Sequence, residues 1–194
     1  MTPTRDARIR GPALQEAHRR VGRYLATEFL PCLIGLEEHA TPHVQKSKSA
    51  IGYRLANEDK TLIVALMRGG LPLAEGVNET FPSAGLLHAN HSGDITRDHL
   101  AGRSALILVD SVINKGATVQ DFVKHVRRLH VTIRIVVVAG VVQAQSVTKS
   151  GPLWTSACEY GKFNILALRL SENMYTGRGT TDTGNCLYNT TCLE

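Results

Sequence analysis

Apolar positions along the chain fall into two rhythms. Leu14, Ala17, Val21, Leu25 and Phe29 recur every three or four residues, which predicts an amphipathic helix over Ala13–Phe29 with its arginines outward. Pro31 is expected to end it. Val119, Phe122, Val123, Val126 and Leu129 repeat the rhythm and predict a second helix over Val119–Leu129. Between these lie short unbroken apolar runs, Thr61–Met67, Ala84–Ala89 and Ala105–Val109, with Ile133–Val142 beyond, each read as a strand buried on both faces. Leu71–Asn78 reads as a helix with Pro72 in its first turn. Strands without a polar face, alternating with helices, imply an α/β fold: a mainly parallel twisted sheet with helices on both faces. With no repeat or low-complexity linker, one domain is expected over 1–194: an N-terminal helix in 1–30, a core in 31–165 and a small C-terminal unit in 166–194.

Composition narrows the partners. At 43% hydrophobic and 20% charged, 194 residues can bury a real core. The 22 Lys and Arg against 17 Asp and Glu suit an anionic partner, but they are scattered apart from Arg19–Arg20 and His125–His130. A phosphorylated small molecule fits that distribution as well as nucleic acid does. Cys32, Cys158, Cys186 and Cys192 lie far apart without a CxxC pair, so they read as reduced thiols and suggest neither a zinc site nor a disulfide framework. No segment reaches the roughly 18 apolar residues of a membrane helix and the N-terminus lacks an apolar signal core, so a cytoplasmic protein is expected.

Two strand ends carry chemistry. In sheets of this kind ligands bind beyond the carboxyl ends of the strands. Arg68-Gly69-Gly70 follows one strand, and Asp110 ends another before the turn Lys115-Gly116-Ala117-Thr118. Glycines at a strand-to-helix turn let backbone N–H groups approach a phosphate, and the next helix adds its positive end. Asp110 could face a ribose hydroxyl or a metal-bound water. Without that context it would read as a turn or capping acid, Arg68 as a surface ion-pair partner and Lys115 as a solvated loop lysine. His88, His91, Asp94 and His99 fit no common metal spacing, and Trp154 and Tyr160 read as packing residues.

The chain resembles the uracil phosphoribosyltransferases, type I phosphoribosyltransferases, as a divergent member. Val109–Thr118 (VDSVINKGAT) is similar to their loop for 5-phosphoribosyl 1-pyrophosphate (PRPP), Leu66–Leu73 with Gly76-Val77 to their pyrophosphate turn, and Tyr175–Thr190 to their C-terminal hood over the base. Thr4-Arg5-Asp6 and Thr41-Pro42 also echo family positions, so the match runs end to end and in order. The resemblance implies phosphoribosyl transfer from PRPP to uracil, giving UMP and pyrophosphate, with Mg²⁺ carried by PRPP rather than held directly by the protein. It implies that Asp110 holds ribose hydroxyls; that Asn114, Lys115, Gly116, Ala117 and Thr118 cradle the 5′-phosphate; and that Arg68, Gly69 and Gly70 meet pyrophosphate. Asp182 would order metal-bound water or PRPP oxygens, while Tyr175, Thr176, Thr181 and Gly184 would read the base. A homodimer or larger oligomer is implied, and neither nucleic acid nor a membrane as partner.

The departures from the family pattern are specific. Lys115 replaces a loop hydroxyl, and Ser111 stands where most type I enzymes have a second acid. Arg178, Thr181, Asn185 and Asn189 replace hood residues of the family: proline, glycine, aspartate and glycine respectively. The stretch from Arg68 to Asp110 is shorter than usual, where a flexible arm with an arginine closes over PRPP; Arg97 is the candidate substitute. These changes keep open a second reading, a catalytically weak or inactive relative that binds PRPP or a nucleotide as a regulatory or partner domain, and a third, an enzyme for another base.

Overall fold

The computed structural model describes residues 2–45 and 47–191. Cys192 lies outside them, and Cys32, Cys158 and Cys186 are free thiols. The chain opens with a 3₁₀ turn, Thr2–Arg5, and helix α1, Gly11–Ile34; a hairpin follows, β1 Leu36–Pro42 and β2 Ser49–Leu55. Then come β3 Thr61–Leu66, α2 Leu71–Thr80, β4 Gly85–Ala89, α3 Arg97–Leu100, β5 Ala105–Ile113 and α4 Ala117–Leu129. The chain continues through β6 Arg134–Gln143, α5 Ala144–Val147, α6 Pro152–Tyr160, β7 Phe163–Ser171 and α7 Thr183–Tyr188.

Five strands form a parallel sheet in the order β4-β3-β5-β6-β7, with helices on both faces. Alternation along each strand sorts the core into two layers. Leu62 and Val64, Leu106 and Leu108, and Ile135 and Val137 pack against Val119, Phe122, Val123 and Val126 of α4 and Leu153 of α6. Their neighbours Ile63, Ala65, Ile107, Val109, Val136 and Val138 pack against Val21, Leu25, Ala26 and Leu30 of α1 and Leu73, Ala74 and Val77 of α2. This is why the strands read as unbroken apolar runs.

Close packing fixes α2, whose first turn follows Arg68-Gly69-Gly70. A Cβ on Gly22 would come within 2.1 Å of Leu73 O, and one on Gly76 within 2.0 Å of Arg19 O, so only glycine lets α1 and α2 approach this closely. Arg19 and Arg23 then reach Glu75 and Glu79 across the crossing.

Three expectations change. Pro31 does not end α1: in the last turn it forfeits its own hydrogen bond and leaves the preceding ones intact, so the helix runs to Ile34 and stops at Gly35, φ 114°, whose amide bonds Pro31 O at 2.9 Å. Asp110 does not end its strand: β5 continues to Ile113, with Asp110 opposite Ala139 and Val112 opposite Val141, because the ladder to β6 holds the backbone whatever the side-chain polarity. The inward alternation shifts there by one residue, since Ile113 and Val142 join the layer of Leu108 and Val137. Finally, β7 runs through residue 166, and the chain leaves the sheet at Ser171.

The β1–β2 hairpin, α3, α5, α6, β7 and α7 lie outside the rhythms read from sequence. The β1–β2 hairpin is mostly exposed and held by its own register, with Glu37 opposite Arg54 and an ion pair of 2.7 Å between them. The cluster around His91 is a turn, not a ligand set: Asp94 accepts from the amides of Asn90 and His91 and lies 3.0 Å from His91 Nδ1.

Candidate active site

At the carboxyl end of the sheet a polar cleft of about 400 Å³ is walled by Met67, Arg68 and Gly69 after β3, by Asp110 to Val112 and Asn114, and by the C-terminal segment through Tyr175, Asp182 and Gly184. The β3–β5 pairing places the first two walls side by side. Glycine lets them touch: a Cβ on Gly69 would meet Ser111 Oγ at 2.9 Å and Asp110 Oδ1 at 3.6 Å, and one on Gly70 would strike Val109 O at 2.1 Å.

Asp110 is the cleft's titratable centre. Burial pushes its carboxyl up to about 7, outweighing the amides of Ser111 and Val112 that favour the charged form; the Ser111 amide donates to Oδ1 at 2.7 Å. A carboxyl in this state accepts hydrogen bonds from ligand hydroxyls once ionised.

The third wall folds back from residues 175–191 and is tied down at several points. Asn114 Nδ2 donates to Tyr175 O at 2.8 Å and Asn114 Oδ1 accepts from the Tyr175 amide at 2.9 Å. Arg68 Nη2 donates to Asn185 Oδ1 at 2.8 Å, and Tyr188 Oη lies 3.5 Å from Arg68 O. The Arg68 guanidinium packs over Gly184, where a Cβ would stand 3.3 Å from Nε. Asp182 caps α7, accepting from the Asn185 amide at 2.9 Å. From the other side Arg10 donates to Thr180 O and Thr191 O, and Gln15 to Leu187 O.

The residues singled out in the sequence therefore divide. Arg68, Gly69, Asp110, Asn114, Tyr175, Asp182 and Gly184 line one cleft, and Gly70 closes the turn beneath it. Lys115, Gly116, Ala117 and Thr118 lie just past its lining at the start of α4, with Lys115, Ala117 and Thr118 exposed. Gly116 is required by packing, since at φ 79° a Cβ would strike Leu153 at 2.6 Å. Thr181 bonds the Arg178 backbone and accepts from Tyr175 Oη at its own carbonyl; Thr176 is exposed. Arg97 is exposed on α3 and does not line the cleft; its segment is anchored to α4, where His125 Nε2 lies 2.8 Å from Ile95 O. Among the described residues no three His, Cys, Asp or Glu side chains gather as a metal cage, and no helix is long and apolar enough to cross a membrane. Sequence reasoning missed the clamp from Arg10 and Gln15, because no local pattern marks a side chain that reaches across the fold.

The family model described as uracil phosphoribosyltransferase matches residues 1–190. No curated protein matches the chain. Among solved structures, the AQ2163 protein from Aquifex aeolicus superposes with a TM-score of 0.72 at 17% identity, covering 99% of this chain and 93% of its own, which shows a shared fold. The xanthine-guanine-hypoxanthine phosphoribosyltransferase of Helicobacter pylori overlaps with a TM-score of 0.46 at 12% identity, over 78% of this chain and 82% of its own.

Proposed function

The chain belongs to the uracil phosphoribosyltransferase family, and from that premise we propose that it transfers the phosphoribosyl group of PRPP to a pyrimidine base of the uracil type, giving the nucleotide (UMP from uracil itself) and pyrophosphate. The observation that carries this reading is one cleft in which Asp110, the Arg68-Gly69 turn and the hood residues Asp182 and Gly184 face one another. In the reaction the bond from C1′ to pyrophosphate breaks, a base nitrogen bonds to C1′ and loses its proton, and the ribose passes through an oxocarbenium-like state. The protein's task is to place the two reactants and to balance charge.

Asp110 accepts from the ribose hydroxyls, and its carboxylate faces the ring as positive charge develops. The backbone opened by Gly69 and the Arg68 guanidinium meet the departing pyrophosphate. Asn185 matters here: it holds Arg68 through a neutral amide where the resemblance implies an aspartate, so no carboxylate competes with the leaving group for the guanidinium. Lys115 and the amides of Gly116, Ala117 and Thr118 at the head of α4 hold the 5′-phosphate. Asp182 would face, through water, a Mg²⁺ arriving with PRPP, and that ion would supply charge neutralisation at pyrophosphate. Tyr175, Thr176, Thr181 and Gly184 border the base, and Arg97 is a candidate for closing over PRPP. The protein works as a homodimer or larger oligomer; Ile51 and Tyr53, exposed on the projecting hairpin, support this.

A second reading, a PRPP- or nucleotide-binding relative without turnover, is favoured by Arg97, which is exposed and stands outside the lining of the cleft it would have to close. Melting with PRPP and Mg²⁺, followed by an assay for UMP from uracil, separates the two. Stabilisation with turnover supports the transferase, stabilisation without turnover supports the binder, and no stabilisation overturns both.

A further inference from the structure

Beside the cleft lies a larger pocket of about 450 Å³, closed by the N-terminal segment, the first turns of α1, the ends of β5–β7 and the hood. Ser111, Asn114 and Tyr175 line both spaces, so the two adjoin. Its walls are mainly apolar, with Ile9, Leu14, Val21, Val112, Val141 and Met174 among them. Arg169 and His18, both on its walls, each leave polar capacity that the fold does not use. Arg169 of β7 brings a guanidinium whose Nε is buried without a hydrogen-bond partner. Asp6 is the pocket's acidic side chain among the described residues, and Arg8 already holds both its oxygens, at 3.0 and 2.8 Å. His18 is buried, and its Nδ1 lies 2.9 Å from Leu14 O, a contact that requires the proton on Nδ1. Burial holds its pKa below the usual histidine value, which favours the neutral ring, and in that tautomer Nε2 is an acceptor.

An arginine without a counter-ion in an apolar pocket is costly unless a ligand brings the charge. We propose that this pocket receives the acceptor base as a planar heterocycle bearing an anionic substituent, such as a ring carboxylate, with Arg169 as its counter-ion and His18 Nε2 accepting a ring N–H. The proposal rests on the phosphoribosyl-transfer reading of the adjoining cleft and makes its substrate class specific. A neutral carbonyl, as in uracil, gives Arg169 a hydrogen bond without charge; a carboxylate offers the planar pair of oxygens that matches the guanidinium fork. Arg5 and Arg10, which also line the pocket, add positive potential of the same sign.

Calorimetric titration of the intact protein with uracil and with uracil 6-carboxylate tests this, with PRPP–Mg²⁺ binding measured alongside. The carboxylate is expected to bind about tenfold tighter or better. Arg169→Gln should erase that preference, Arg169→Lys should keep part of it, and the His18 ring resonances should shift as the carboxylate is added to the wild type. Equal affinities, tighter binding of uracil, no binding of either heterocycle, or a preference that survives Arg169→Gln would overturn the proposal. The wild-type comparison decides it even if the variants do not fold. Failure of PRPP to bind alongside Arg169-dependent binding of the carboxylate would sink the transferase reading and overturn the acceptor role, leaving Arg169 as a site for an anionic heterocycle alone.

Discussion

The side chain of Asn114 exchanges two hydrogen bonds with the backbone of Tyr175, 61 residues away, and so pins the hood to the loop after β5. The amide acts as a backbone surrogate, satisfying a donor and an acceptor that no secondary structure pairs. Asn114→Ala removes both bonds at an exposed site, a loss of about 1–2 kcal/mol. A fall in melting temperature of about 4 °C is expected. Hydrogen exchange at the Tyr175 amide should quicken; unchanged exchange there would refute the clasp.

Asp110 links pH to stability. Its folded pKa, about 7, lies above the unfolded value, so between about pH 4 and pH 7 the folded state holds a proton that the unfolded state has released, and stability falls as pH rises across that window. At about 1.36 kcal/mol per unit, the cost above pH 7 is at most about 4 kcal/mol. Asp110→Asn should therefore melt higher than the wild type at pH 8, with the gap closing towards pH 4. The same variant should bind PRPP more weakly. An unchanged PRPP affinity would remove Asp110 from the ribose.

The two glycines after Arg68 are expected to fail differently. A methyl on Gly70 meets the carbonyl of Val109, which cannot move without breaking the β5 ladder, so Gly70→Ala should cost about 2–3 kcal/mol. Gly69→Ala meets Ser111 Oγ, which can rotate away, so this protein should melt near the wild type while binding pyrophosphate more weakly. Melting curves paired with pyrophosphate titration read both effects.

Lys115 is exposed at the mouth of α4, and its proposed partner is the 5′-phosphate. Lys115→Ala should weaken ribose 5-phosphate binding about tenfold while leaving pyrophosphate binding unchanged. Equal losses for both ligands, or none, would show a general electrostatic role or no role.

What the sequence by itself determined is the layered frame and its chemical turns. Burial on both faces of β3, β5 and β6 demands unbroken apolar runs, and the 3.6-residue period of α1 and α4 follows from one buried stripe, so each element carries its own local signature. Arg68-Gly69-Gly70 and Asp110 stand out because charge and glycine interrupt such runs. The hairpin and β7 were not legible, since one is largely exposed and the other, half-buried at its residues, carries Arg169 where an apolar residue would mark a strand. The tertiary structure alone decided that Arg68 rests on Asn185, 117 residues on, that Asn114 holds Tyr175, and that His18 and Arg169 share a pocket. Hydrogen bonds between side chains distant in sequence depend on which strand ends the topology makes neighbours. No periodicity encodes that, because a polar residue has the same local pattern whether it meets water, a backbone carbonyl or a ligand.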